Sequence, residues 1–241
     1  MSSEKLSVFE EGQVLLFNKP LYWTSFDLVN KVRIMIRKSL GIKKIKVGHA
    51  GTLDPLASGL MIICTGRATK KIDQFRDLDK EYIATIHLGE TTPSFDLETE
   101  TDNRYPTDHI TEELIRKTLD GFIGEQMQLP PAYSAKLIAG KRAYEFARNG
   151  IQKELEPVTV SLREIELLSF VIPEVKIRLV CSKGTYIRSF ARDLGLALKS
   201  GGYLSALERT AIGSYKVNNA YDLEKFQEYI EQMQQNRYNY V

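Results

Sequence analysis

Residues 47–64 read VGHAGTLDPLASGLMIIC, a glycine-rich loop that runs straight into an apolar strand. Leu60-Met61-Ile62-Ile63-Cys64 is uncharged and unbroken, the pattern of a central strand bounded by turn residues. Ahead of it Gly48, Gly51, Gly59 and Pro55 surround one carboxylate, Asp54. Glycine permits positive φ and close backbone approach, so such a loop can hold Asp54 at the floor of a pocket. Taken alone, the stretch reads more simply as a turn in which Asp54 bonds its own backbone. Its spacing fits neither GxxxxGK[ST] nor GxGxxG, so no phosphate-binding loop is expected.

Working outward, Val14-Leu15-Leu16-Phe17 reads as a short buried strand ended by Asn18-Lys19-Pro20. Thr24 or Ser25 can cap a helix whose apolar positions are Phe26, Val29, Val32, Ile36 and Leu40, with Gly41 as its stop. Downstream, EYIATIHL (81–88) alternates with period two and puts Tyr82, Ala84, Ile86 and Leu88 on one face of a strand. Residues 92–109 are acidic, carry two prolines and show no period, so a loop or mobile insert is expected there. Thr111 caps a helix through Leu119 that Gly121 ends. Strands are expected at about 158–170 and 175–181, and helices at about 186–199 and 222–234. Strands and helices do not alternate strictly, which favours an α+β fold with a mixed sheet over a Rossmann or barrel pattern. The reading is one domain over 1–241 with an insertion at about 90–155.

A composition of 43% hydrophobic and 27% charged residues supplies a sizeable core and excludes a disordered or fibrous chain. No apolar run approaches the roughly 18 residues that a membrane helix needs. The start, MSSEKLSVFEEGQ, lacks an apolar signal core. Cys64 and Cys181 are the only cysteines and make no CxxC or zinc pattern with the three histidines, so a reducing, cytoplasmic setting without a metal centre is expected. Charge is segregated: residues 1–80 carry 14 basic against 8 acidic side chains (+6), residues 81–125 carry 3 against 11 (−8), and residues 126–216 carry 14 against 8 (+6). Two basic blocks around an acidic segment suit a polyanion partner without requiring one.

Three further segments carry chemistry. CSKGTYIRS (181–189) is a strand-to-helix junction, where backbone N–H groups and side chains converge. LDKEY (78–82) opens the period-two strand with Tyr82 on its inward face. QLPPAYSAK (128–136) and GKRAYEFAR (140–148) interleave aromatic with basic residues, which suits stacking on bases and contact with phosphates, or else a helix with a basic face.

Together these segments resemble the TruB family, the bacterial tRNA pseudouridine-55 synthases. The match runs in order from about Val14 to Val217, through NKP, GHAGTLDPLASG, DLDKEY, QLPPAYSAK, GKRAYEFAR and CSKGTYIRSFARDLG. The resemblance implies the pseudouridine-synthase fold, a mixed and mainly antiparallel sheet flanked by helices, with the insertion as an RNA-gripping thumb. It implies isomerisation of uridine to pseudouridine at position 55 in the T loop of tRNA, with no cofactor and no metal. Asp54 would be the covalent catalyst, much as retaining glycosidases hold an anomeric carbon on a carboxylate. Burial would raise its pKa, and Arg188 matches the family arginine that opposes this. Tyr82 matches the tyrosine that stacks on the target base. Tyr186 and Leu207 match positions completing the base pocket, and His49 the residue that fills the space left by the flipped uridine. Lys19 and Pro20 resemble a structural pair. Lys136, Lys141, Arg142 and Arg148 are the expected phosphate contacts. The implied partner is the T-arm stem-loop, with no guide RNA and no membrane, and the enzyme a monomer. Longer members end in a PUA-type domain, whereas 25 residues follow Lys216 here, so no full PUA domain is expected. A guide-RNA-dependent synthase of the dyskerin type and a non-catalytic RNA-binding module are the rival readings.

Overall fold

A computed structural model describes residues 7–134, 136–138, 140–151, 153 and 155–238. The first six residues of the N-terminus, and Ala135, Ala139, Gln152 and Glu154 of the expected insertion, lie outside the described residues. The fold is α+β, a mixed and mainly antiparallel sheet flanked by helices. The chain divides into two compact units, residues 1–80 with 208–241, and residues 81–207.

In the first unit, Val14–Lys19 pairs antiparallel with Ala57–Thr65, Leu16 opposite Ile62 and Lys19 opposite Gly59. Val47–His49 pairs with the same strand. Leu60–Cys64 is wholly buried, as its composition predicts. The helix Ser25–Leu40 starts with a reciprocal cap: Thr24 Oγ1 accepts from the Asp27 N–H at 3.0 Å, and the Thr24 N–H donates to Asp27 Oδ2 at 2.9 Å. Gly41, at φ 64°, ends it in the left-handed region. Its buried stripe is Ser25, Leu28, Val29, Val32, Met35 and Ile36. Phe26, expected inward, is instead 66% exposed. At about 100° per residue, position 26 falls roughly 60° beyond the Val29 edge of that stripe. The C-terminal helix Leu223–Tyr238 sets the edge of Phe226 against Phe17, with ring centroids 4.9 Å apart.

In the second unit the strand order is Gly202–Leu207 (the first part of the strand Gly202–Ile212), Glu81–Leu88 (all but the first residue of the strand Lys80–Leu88), Glu174–Cys181, Val158–Val171 and Gly124–Gln128. Tyr82, Ala84, Ile86 and Leu88 are buried on one face, as the alternation predicts. The Gly202–Ile212 strand has no counterpart in the sequence reading. A Cβ on Gly195 would lie 2.2 Å from the Gly201 carbonyl carbon, so the helix Ile187–Ala197 meets this backbone at a distance only glycine allows.

The segment 92–109, expected as a loop or mobile insert, is a mostly exposed loop whose first residues are packed. Glu90–Thr91 pairs with Asn103–Arg104, and between them Thr92, Ser94 and Asp96 are buried. Thr92 Oγ1 donates to the Asp96 carbonyl at 2.7 Å, and Asp96 Oδ1 accepts from the Glu98 N–H at 2.9 Å. Such polar side-chain-to-backbone knots carry no hydrophobic period, which is why periodicity misses them. Each unit holds one buried thiol, Cys64 in the first and Cys181 in the second. Burial pushes the Cys64 thiol up to about 11.

Candidate active site

In the first unit the loop 50–57 is fastened along its length. The Ala50 N–H donates to the Ile62 carbonyl at 3.0 Å. Ser25 Oγ, itself buried, donates to the Leu53 carbonyl (3.0 Å) and accepts from its N–H (2.8 Å). The Ala57 N–H closes a turn onto the Asp54 carbonyl at 3.1 Å, with Pro55 in the position where its fixed φ is favoured. The turn reading is therefore correct for the backbone, and Asp54 is half-buried.

The main anchor is a residue that sequence reasoning missed. Arg209 is 1% exposed; its Nε donates to the Leu60 carbonyl at 2.7 Å, and its Nη1 and Nη2 reach the Thr52 and Gly51 carbonyls at 3.4 Å. Arginine is by default a surface residue, and its partners here are backbone oxygens, which side-chain patterns do not reveal. Lys19 is also fully buried, its Nζ donating to the Trp23 carbonyl at 2.6 Å and the Pro20 carbonyl at 3.0 Å. Burial pushes its ammonium down to about 8; the Asp54 carboxylate opposes this and Arg209 adds to it.

That shift has a testable sign. Between about 8 and the usual 10.5 the unfolded chain binds more protons at Lys19 than the folded one. The Lys19 contribution to stability therefore rises with pH across that window, and below about 8 the full penalty of the buried charge is present. Thermal melts of wild type and Lys19→Met from pH 7 to about 10 should converge or cross in favour of wild type as pH rises. Parallel curves would remove Lys19 as the source.

His49 is half-buried, and its Nδ1 is sealed with no hydrogen bond among the described residues. Burial pushes the imidazole below its usual range; the Gly51 backbone opposes the shift, and Arg209 and Arg76 deepen it. The ring is accordingly neutral at pH 7.

In the second unit Tyr82 is 8% exposed on the inner face of its strand. Arg188, at the start of the helix Ile187–Ala197, is 5% exposed. Its Nε lies 3.4 Å from Asp96 Oδ2, and its Nη1 donates to the Tyr133 carbonyl (2.9 Å) and reaches the Ser94 carbonyl at 3.4 Å. Asp96 is the second residue that sequence reasoning missed. Tyr186 is held by Gln128, which accepts from its N–H at 2.8 Å and donates to its carbonyl at 3.1 Å. These bonds bring the QLPPAYSAK and CSKGTYIRS segments together. Leu207 is half-buried. Of the basic set, Lys141 and Arg142 are exposed, and Lys136 Nζ donates to the Glu156 carbonyl at 2.8 Å. Arg148 is engaged: Glu98 sits 2.7 Å from its Nη2, and its guanidinium lies 5.2 Å from the Tyr144 ring centroid.

Among the described residues no group of three or more His, Cys, Asp or Glu is placed to hold a metal ion, and no helix is long and apolar enough to cross a membrane.

Comparison with known proteins gives the family. Residues 37–187 match the family model described as TruB family pseudouridylate synthase (N terminal domain). The chain is 57% identical over 226 residues to the tRNA pseudouridine synthase B of Phocaeicola vulgatus, covering 94% of this chain and 96% of that protein. It is 52% identical over 219 residues to that of Flavobacterium johnsoniae, covering 90% and 96%. Among solved structures it resembles a chain of a Cbf5-Nop10-Gar1 complex, with TM-score 0.69 and 27% identity, covering 92% of this chain and 55% of that one. A chain of an H/ACA RNP bound to a substrate RNA containing 2'-deoxyuridine gives TM-score 0.64 and 26% identity, covering 92% and 54%. With over half the sequence matched by the family model and relatives this similar along nearly their whole length, the chain belongs to the TruB family of pseudouridylate synthases.

Proposed function

We propose that this tRNA pseudouridine synthase isomerises uridine 55 in the T loop, with Asp54 as the nucleophile. The observation that carries the reading is the construction of the Asp54 loop. Buried Ser25 and Arg209 hold its backbone by four hydrogen bonds, to Leu53, Thr52 and Gly51, and Arg209 ties in Leu60 of the strand that follows. A carboxylate carried on so fixed a backbone is what a covalent catalyst requires. In the overall change the bond from C1′ to uracil N1 breaks and a bond from C1′ to C5 forms. N1 gains a proton and C5 loses one. No atom is added, so no metal, redox cofactor or water enters the balance.

The remaining residues act on the flipped uridine. Tyr82 stacks on the base, and Tyr186 and Leu207 complete the pocket. Extruding the base costs a few kcal/mol, and an uncharged His49 ring suits the space it vacates. Arg188 holds the charge that keeps the reacting carboxylate ionised. The relatives' name, tRNA pseudouridine synthase B, supports a stand-alone enzyme; we infer a cytoplasmic monomer that needs no guide RNA. Incubation with an unmodified tRNA transcript alone, followed by mapping of pseudouridine, tests this. A requirement for an added RNA would favour the guide-dependent reading.

Recognition then rests on the T-arm. An isolated T-arm hairpin is expected to be modified nearly as well as whole tRNA, compared by kcat/KM; a hairpin at least a hundredfold worse would overturn this. Each phosphate neutralised steepens the log–log salt dependence by about 0.7–0.9. Lys141→Ala with Arg142→Ala should therefore flatten the slope by roughly 1.5, leaving the bound single-turnover rate almost unchanged. Arg148, paired with Glu98, should contribute less to that slope than the exposed Lys141.

A further inference from the structure

The arm between the first strand and the first long helix, PLYWTS (20–25), contains a feature that folding alone does not explain. Tyr22 has φ 67°, in the left-handed region that a bulky L residue rarely adopts. Its N–H donates to the Pro55 carbonyl at 2.7 Å, so the unusual backbone is fixed to the turn that carries Asp54. Three residues on, Ser25 bonds Leu53 twice, and Lys19 Nζ holds the Pro20 and Trp23 carbonyls. The arm and the Asp54 loop therefore form one hydrogen-bonded piece.

Glycine would serve this backbone position without strain. The tyrosine ring adds nothing to the core: it is 75% exposed, and among the described residues it stacks on no other ring. Phe26, 66% exposed, follows in the first turn of the helix. A strained backbone that presents an unburied aromatic ring points to a ligand outside the chain.

We propose that Tyr22 is a stacking platform for an unpaired base of the substrate RNA, next to the target uridine. The occupant follows from three observations. The arm is bonded to the turn bearing Asp54, so the backbone that carries the ring is tied one residue from that carboxylate's own position. Residues 1–80 carry a net charge of +6, which favours a polyanion. Every base presents a flat π-face, so an exposed ring grips RNA without needing a sequence. The proposal rests on Asp54 as the reaction centre.

Binding is measured separately from turnover by placing the variants in an Asp54→Asn background and titrating a labelled T-arm hairpin by anisotropy. Tyr22→Gly keeps the backbone conformation and removes the ring; it should weaken binding at least about fivefold, with Tyr22→Phe close to the parent. Its melting temperature should be equal to or above the parent's, because strain is relieved. With Asp54 intact, Tyr22→Gly should raise KM for the hairpin and leave the saturated single-turnover rate within about twofold. Unchanged hairpin affinity in Tyr22→Gly overturns the proposal, and would leave a protein surface as the ring's partner. Weaker binding accompanied by a lower melting temperature also overturns it, since the ring would then serve folding. Failure of the Asp54 reading looks different: it appears as pseudouridine made by Asp54→Asn, and does not alter the comparison of affinities.

Discussion

Asp54→Asn is expected to abolish pseudouridine formation while tRNA affinity stays within about tenfold of wild type. The amide is nearly isosteric with the carboxylate but cannot form and release a covalent bond at the rate required. The loop should keep its place, because its backbone is held from elsewhere: the Ala57 N–H bonds the Asp54 carbonyl, Ser25 bonds Leu53, and Arg209 bonds the carbonyls of residues 51, 52 and 60. Affinity should persist because phosphates and stacked bases supply most of it. The check is pseudouridine mapping after prolonged incubation with excess enzyme, together with a filter-binding isotherm. Any product above the background of a mock preparation would remove Asp54 from the nucleophile's role.

Arg188→Lys should lower the single-turnover rate at saturating tRNA by about a hundredfold or more, with only a small change in affinity. The guanidinium is a fork whose Nε faces Asp96 while its Nη1 serves both the Tyr133 and the Ser94 carbonyls. A lysine ammonium is one point on a flexible stem and cannot meet all three. Removing one partner of a buried pair typically costs about 3–5 kcal/mol, so Asp96→Ala should lose both rate and melting temperature, whereas Arg188→Lys, which keeps the charge, should lose mainly rate. Rapid-quench measurements beside thermal melts separate the two. A near-wild-type rate for Arg188→Lys would show that a charge, rather than a shaped guanidinium, suffices.

What the sequence made legible follows the kind of interaction involved. The strand Leu60–Cys64, the alternation around Tyr82 and the Thr24–Asp27 cap were readable because burial and capping leave a period or a residue type at a fixed offset. Asp54 was readable only as a turn residue until the family resemblance gave it a role, and the structure shows the turn. Arg209 and Asp96 left no trace in the pattern. Both are buried charges, one satisfied by main-chain oxygens and the other folded into a knot of local bonds. Phe26 was misread for the opposite reason: an apolar residue in helical register was assumed to point inward, and it points out.

The two cysteines give the molecule a pair of internal clocks. Cys64 is 0% exposed and Cys181 1%, and they fall one in each compact unit. A thiol reagent reacts with the thiolate and must first reach it, so a sealed cysteine is modified only when its surroundings open. Because the chain holds no third cysteine, the mass of a singly labelled peptide says which unit opened, and its rate of appearance says how often. The protein is therefore equipped, without any engineering, to report whether its two units breathe together or separately, and whether bound RNA silences one of them before the other.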